Sequence, residues 1–298
     1  MTDILRRPHQ PVLRFAPSPN GELHLGHALS ALVGYETARR LGGRFLLRID
    51  DIDPGRSRRA FTESIFRDLD WLGIRWETPV LHQSQHWATY RDAATRLEAM
   101  GLLYPCFATR TEILAATHNG PRDPDGAPLY PGLHRGLTRA EIKRRKDAGD
   151  PHVMRLDVAK ALAQARTRLQ GGCLEFTERA QRVRTDPARW GDVALQRKDT
   201  PTSYHLSVVV DDARQGVTHV TRGLDLYAAT DVHRLLQVLL DLPEPVYAHH
   251  RLITDAGGRK LAKSARDTSL RQLREAGIAP ADVCRLVDLE STLHAMAV

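Results

Sequence analysis

Arg14-Phe15-Ala16-Pro17-Ser18-Pro19-Asn20-Gly21-Glu22-Leu23-His24-Leu25-Gly26-His27 is the stretch on which the reading of this chain turns. It begins at the end of a short apolar run, Pro11–Ala16, which reads as a strand, and passes through a Pro/Gly turn, Pro17 to Gly21. From His24 to Leu41 the residues Leu25, Leu29, Leu32 and Val33 share one stripe at helical spacing, and Gly42-Gly43 ends it. A strand feeding a helix puts the helix N-terminus beyond the carboxyl end of the strand, where open α/β sheets bind ligands. Free N–H groups and the positive dipole end attract phosphate there. His24 and His27 are three apart and so fall on one face of the first turn. Gly26 between them removes a side chain and lets a nucleotide come close. In isolation a histidine pair at this spacing more often caps or packs a helix. The strand and turn that precede it favour the phosphate-facing reading.

Outward from this stretch the pattern continues. Phe45–Ile49 reads as a strand and Asp51–Arg56 as a polar loop; Ser57 is expected to cap a second helix to Leu72, with Gly73 at its end. Strand, helix, strand, helix implies a parallel sheet with crossover helices. Residues 104–135 break that rhythm, with a loop from Asn119 to Pro128. Thr138 and Glu141 form a capping-box pattern for a basic helix through Lys146. Val153–Leu156, Val193–Gln196 and His205–Val210 read as strands, the last fully buried because of Val208-Val209-Val210. Ala229–Leu240 is an amphipathic helix, Tyr247–Ile253 is extended, and the tail from Thr268 is mostly helical. The expected fold is α/β, a Rossmann-like parallel sheet with an inserted subdomain and a small helical C-terminal part. The expected divisions are a core in two halves, 1–103 and 191–241, an insertion at 104–190, and a C-terminal part at 242–298.

Two further clusters bear on chemistry. Arg48-Ile-Asp-Asp-Ile-Asp-Pro-Gly-Arg closes the second strand, where a carboxylate can hold an ammonium group; by itself the run reads more readily as a solvated acidic loop. Gly257-Gly-Arg-Lys-Leu-Ala-Lys-Ser264 places Lys260 and Lys263 three apart on a glycine-hinged loop, able to reach one polyphosphate.

The first stretch resembles the HIGH signature of class I aminoacyl-tRNA synthetases, here His24-Leu25-Gly26-His27, and more narrowly the glutamyl and glutaminyl group. That resemblance implies ATP binding by His24, Gly26, His27 and Lys263, with His24, His27, Lys260 and Lys263 as catalytic residues. It implies a glutamate pocket formed by Arg14, Ala16, Ser18, Asp50, Tyr204 and Arg222. Asp50 stands where the group usually carries Glu, one methylene longer. Lys260-Leu-Ala-Lys-Ser264 resembles the KMSKS loop with Ala262 for its first serine. Arg222 would take the γ-carboxylate through two parallel hydrogen bonds. The resemblance covers residues 11–265, and only residues 265–298 follow the loop, which resembles a truncated branch without an anticodon-binding domain. That branch joins activated glutamate to the queuosine base in the anticodon loop of tRNA(Asp). L-glutamate, ATP with Mg²⁺ and queuosine-containing tRNA(Asp) are therefore the implied ligands. A non-catalytic RNA-binding relative, a nucleotidyltransferase with a similar phosphate motif, and a short enzyme charging tRNA(Glu) stay open as alternatives.

The group often carries zinc on C-x-C and Y-x3-C motifs. The matching stretches here read Cys106-Phe-Ala108 and Tyr130-Pro-Gly-Leu-His134. Cys106, Tyr130 and His134 are the candidate ligands; zinc prefers four, so a metal-free knob is the expectation. The net charge of +7 and pI of about 9.6 suit a polyanionic partner. Three cysteines at wide spacing, with no C-x-x-C pair, point to a reducing cytoplasm. No apolar run reaches bilayer length and the N-terminus lacks a secretory h-region. A monomer is expected.

Overall fold

A computed structural model describes residues 10–118, 120–254 and 268–296. The first stretch forms β1 (Val12–Phe15) and α1 (Leu25–Arg40), followed by β2 (Arg44–Ile49), α2 (Arg59–Trp71) and β3 (Glu77–His82). These strands pair in parallel in the order β1-β2-β3. Helix α1 ends because Gly42 adopts a φ of 61°, a left-handed turn that a side chain resists. Its buried stripe, Leu29, Leu32 and Val33, packs with Leu13, Leu47 and Ile49 of the sheet. Each such fully buried side chain contributes about 1.5–3 kcal/mol relative to exposure.

The chain continues through α3 (Trp87–Ala99), β4 (Leu103–Cys106), α4 (Arg110–Ala116), α5 (Arg139–Asp147), β5 (Val153–Leu156) and α6 (Val158–Arg168). It then forms the hairpin β6 (Glu175–Glu178) and β7 (Gln181–Arg184), and β8 (Ala194–Gln196). Strands β4, β5 and β8 make a separate antiparallel sheet. Helix α7 (Tyr204–Arg214) leads to β9 (His219–Gly223), α8 (Thr230–Leu240) and β10 (Val246–His250). Strands β9, β10 and β6 are parallel neighbours. Strand β9 lies beside β1: the N–H of Thr218 donates to Val12 O, and the N–H of Val12 donates to Thr218 Oγ1, each at 2.9 Å. These two sheets thus meet with β1 at the point where strand order reverses, the place at which an open α/β sheet forms its crevice.

Helices α9 (Leu270–Glu275), α10 (Pro280–Leu286) and α11 (Leu289–Met296) bury Leu270, Val283, Leu293 and Met296 in the same core as α1. The Leu270 N–H donates to Leu23 O at 2.8 Å, tying this tail to the entrance of α1. No helix among the described residues is long and apolar enough to cross a membrane.

The α/β class and the Rossmann-like sheet stand as read. Two local readings do not, and a third stands only in part. Residues 205–210 are helix, not strand, and lie within α7. This helix is buried almost all round between α3 and α8, so its apolar run carries no helical period to see. Ser57 does not cap α2: the N-cap is Arg58, with no side-chain cap bond, and the preceding turn is organised by Asp53, whose Oδ1 accepts from Gly55 N–H at 3.1 Å. At α5 only half the capping box forms. Thr138 accepts from Glu141 N–H, while the Glu141 carboxylate turns to Arg144 and Arg145.

Candidate active site

A cleft of about 530 Å³ opens where β1 ends beside β9, at the head of α1. Arg14, Ala16, Ser18, His24, Gly26, His27, Asp50, Tyr204 and Arg222 all line it. Five separate chain segments are brought together here. Lys260 and Lys263 lie outside the described residues.

The head of α1 sets the state of both histidines. His24 is the N-cap, and its Nδ1 accepts from Gly26 N–H at 3.0 Å; His27 Nδ1 accepts from His24 N–H at 3.2 Å. A ring nitrogen that accepts carries no hydrogen, so each neutral imidazole holds its hydrogen on Nε2. Helix capping thereby supplies two N–H donors on the ring edges away from the backbone, with ring centroids 3.9 Å apart. A Cβ on Gly26 would sit 2.9 Å from His24 Cε1, so any larger residue pushes on that imidazole.

Beneath the cleft floor lies a buried network of four charges. Asp212 accepts from Arg14 Nε and Nη2 at 3.0 and 3.1 Å and from Arg48 Nη1 at 2.6 Å; Arg48 Nε donates to Asp50 at 2.7 Å. Burial pushes Asp212 up, but Arg14 and Arg48 outweigh it and hold the carboxyl below its ordinary range. Asp50 goes the other way: burial pushes it up to about 6, against the pull of Arg48. Arg14 keeps Nη1 for the cleft, since Asp212 occupies only Nε and Nη2. Asp212 was missed in the sequence because its partner lies 198 positions away. The only signal was an Asp pair closing an apolar run. Its neighbour Asp211 faces elsewhere, accepting from Gln83 and Tyr90.

Arg222, 5% exposed, is held differently. Its Nε donates to His249 Nε2 at 3.0 Å, Nη1 to His233 Nδ1 at 3.1 Å and Nη2 to Thr230 Oγ1 at 2.7 Å. Among the described residues no carboxylate pairs with it. A guanidinium has five N–H donors; with three engaged, one remains on each Nη. Tyr204 packs its ring against His205 and His233, and burial raises its hydroxyl pKa. The cleft therefore joins an anion-seeking helix N-terminus, a carboxylate on its floor and a buried cation that no carboxylate among the described residues pairs with.

Residues 11–291 match the family described as tRNA synthetases class I (E and Q), catalytic domain. The chain belongs to this class I synthetase family. The glutamyl-Q tRNA(Asp) synthetase of Rhodobacter capsulatus is 45% identical over 282 residues, covering 93% of this chain and 100% of that relative. The one from Symbiobacterium thermophilum is 40% identical over 279 residues, 91% of this chain and 83% of the relative. Among solved structures, a glutamate-tRNA synthetase from Elizabethkingia anophelis aligns with a TM-score of 0.71 at 26% identity. A glutamate tRNA ligase from Elizabethkingia meningosepticum, in complex with its amino acid, aligns with a TM-score of 0.75 at 24% identity. The alignments cover 90% and 94% of this chain but only 54% and 60% of those two.

In this class I synthetase chain the zinc candidates do not fit a metal. Cys106 Sγ donates to Tyr130 Oη at 3.2 Å, and Tyr130 Oη also accepts from His134 N–H at 2.9 Å. His134 Nδ1 accepts from Phe107 N–H and Ala108 N–H, both at 3.1 Å. The imidazole lone pair that would ligate zinc is thus spent on two backbone amides, and burial lowers its pKa, keeping it an acceptor. Among the described residues no three His, Cys, Asp or Glu side chains converge as a metal site. The knob holds by Cys106, Ala108 and Tyr130 packing together, with Arg155 stacked 4.0 Å over the Tyr130 ring.

Proposed function

We propose that this chain activates L-glutamate with ATP and transfers the glutamyl group to the queuosine base in the anticodon loop of tRNA(Asp). One observation carries the amino-acid choice: Arg222 is a buried cation with two N–H bonds to spare and no carboxylate partner among the described residues. A ligand carboxylate supplies the missing charge and accepts both bonds, whereas an amide supplies no charge and turns its own donors toward the guanidinium. The two bacterial relatives carry the glutamyl-Q tRNA(Asp) activity in their names, and one is matched over its full length.

In this reading Arg222 and Tyr204 hold the γ-carboxylate and Asp50 takes the α-ammonium. Arg14, Ala16 and Ser18 complete the pocket. His24, Gly26 and His27 receive the ATP phosphates at the head of α1, where the Nε2–H donors add to the positive end of the helix dipole. Lys260 and Lys263 stabilise the departing pyrophosphate, with Mg²⁺ brought in by the nucleotide. The α-carboxylate oxygen attacks the α-phosphorus and the P–O bond to the β-phosphate breaks, giving glutamyl-adenylate. A cyclopentene hydroxyl of queuosine then attacks the anhydride carbonyl carbon and AMP leaves. Positioning and charge stabilisation supply the rate. The same reading divides the chain at 104–190 and 242–298 and treats it as a monomer.

The test is transfer of labelled glutamate to tRNA(Asp) with queuosine, to tRNA(Asp) without it, and to tRNA(Glu). Label on the first alone is expected. Label on tRNA(Glu) instead makes the chain a short charging enzyme. Absence of glutamate-dependent ATP–pyrophosphate exchange leaves an RNA-binding scaffold, and adenylation of a different acid or phosphate makes it a nucleotidyltransferase.

A further inference from the structure

We propose that Glu178, His249, His233 and Thr230 are positioning residues that hold Arg222, a cation with no carboxylate partner among the described residues, with a fixed pair of donors, and thereby set the preference for a side-chain carboxylate. The inference deepens the function proposed above and rests on it.

The chain of hydrogen bonds begins at Glu178, the last residue of β6. Its Oε2 lies 2.7 Å from His249 Nδ1, and its Oε1 accepts from His249 N–H at 2.9 Å. A carboxylate only accepts, so Nδ1 carries the ring hydrogen and Nε2 is bare. A bare Nε2 is what Arg222 Nε requires at 3.0 Å. The other tautomer would set N–H against N–H. His233 repeats the logic: Nδ1 takes the Arg222 Nη1 hydrogen, so Nε2 carries its own and faces His205 Nδ1 at 3.3 Å. Thr230 accepts from Nη2. All three guanidinium nitrogens are therefore anchored on neutral acceptors, from two elements, β10 and α8.

Neutrality separates this arginine from its neighbours. Arg14 and Arg48 meet carboxylates directly. Glu178 reaches Arg222 only through the His249 ring, so it orients the cation without pairing with it. Burial, with the Arg222 charge adding to it, lowers the pKa of His233 and brings His205 to about 4; burial also lowers His249, against the hydrogen bond to Glu178. These rings thus stay acceptors near neutral pH. Tyr247 stacks its ring nearly parallel to His249, at an interplanar angle of 6°, and lies 5.2 Å under the guanidinium carbon. One N–H on each Nη remains after these three bonds, and Arg222 lines the cleft. This also gives a role to the hairpin of β6 and β7: β6 pairs with β10 at Tyr247 and delivers Glu178 behind the pocket.

The experiment is glutamate-dependent ATP–pyrophosphate exchange by the full chain, with KM measured separately for glutamate and ATP and with glutamine as competitor substrate. His249→Leu removes the Nε acceptor. Its KM for glutamate is expected to rise by about tenfold or more, the size of a lost charge-assisted hydrogen bond, with the KM for ATP unchanged. The preference for glutamate over glutamine falls in parallel. His249→Gln, whose amide accepts from Arg222 and donates to Glu178, restores most of the affinity. Thr230→Val, nearly the same shape, shifts KM for glutamate in the same direction and keeps the test alive if the Leu variant does not fold. Folded Leu and Val variants with wild-type KM for glutamate overturn the inference, as does a parallel rise in both KM values. Absence of exchange by the wild type overturns the functional reading itself, and this inference with it.

Discussion

Replacing Asp212 by asparagine tests whether the floor of the cleft is held by charge. The change keeps the shape and removes one of two negative charges from a network with two positive ones. Three hydrogen bonds, from Arg14 Nε and Nη2 and from Arg48 Nη1, lose their charged acceptor. An amide offers one acceptor oxygen and turns two donors toward groups that also only donate. Breaking a buried ion pair from one side costs about 3–5 kcal/mol, against a total stability of about 5–15 kcal/mol. At about 2–4 °C per kcal/mol for chains approaching this size, the melting temperature should fall by roughly 6–20 °C. A control is Glu63→Gln, whose partner Arg59 is 93% exposed in side chain; that pair is worth less than about 1 kcal/mol. The pH dependence has a definite sign. The folded-state pKa of Asp212 is held below its ordinary value of 3.8. Its contribution is therefore complete above about pH 4 and is lost as pH falls through the folded value. The gap between wild type and Asp212→Asn should still be open at about pH 5, below the titration of Asp50 near 6, and close in stronger acid. Thermal melts followed by circular dichroism read both effects. A neutral-pH shift no larger than that of Glu63→Gln would refute the argument.

Asp50, pushed up by burial to about 6, should impose an acid limb on kcat/KM for glutamate: the carboxylate that takes the ammonium is lost as pH falls through about 6, and Asp50→Asn should show lower activity with no limb, so an unchanged limb in that variant removes Asp50 from the role. His24→Asn keeps an acceptor for Gly26 N–H but loses the Nε2–H donor, so it should melt like wild type while exchange slows by about 10²-fold or more; His24→Ala should lose about 1 kcal/mol of stability as well, and equal melting of the two variants would deny His24 its capping role. The hydrogen bonds of Cys106, Tyr130 and His134 predict about zero zinc per purified chain by atomic spectrometry, and a melting temperature indifferent to chelator; about one zinc per chain contradicts the geometry.

Local chemistry was sufficient for the head of the cleft. A strand, a Pro/Gly turn and a helix opening on His24-Leu-Gly-His27 are written within a few residues of each other, and the capping that fixes both imidazoles is a bond between neighbours. The parallel order was legible for the same reason, because period and turn residues are local signals. The structure decided what depends on distant partners. Whether residues 205–210 became strand or helix rested on what surrounds them, and burial on every side erased the period that would have told. Asp212 acquired its role only when α7 was laid across the end of β1, and the imidazole shell of Arg222 only when β6, β9, β10 and α8 met. A side chain's charge is given by its type, but whether that charge is cancelled is a property of neighbours that the fold brings from far along the chain.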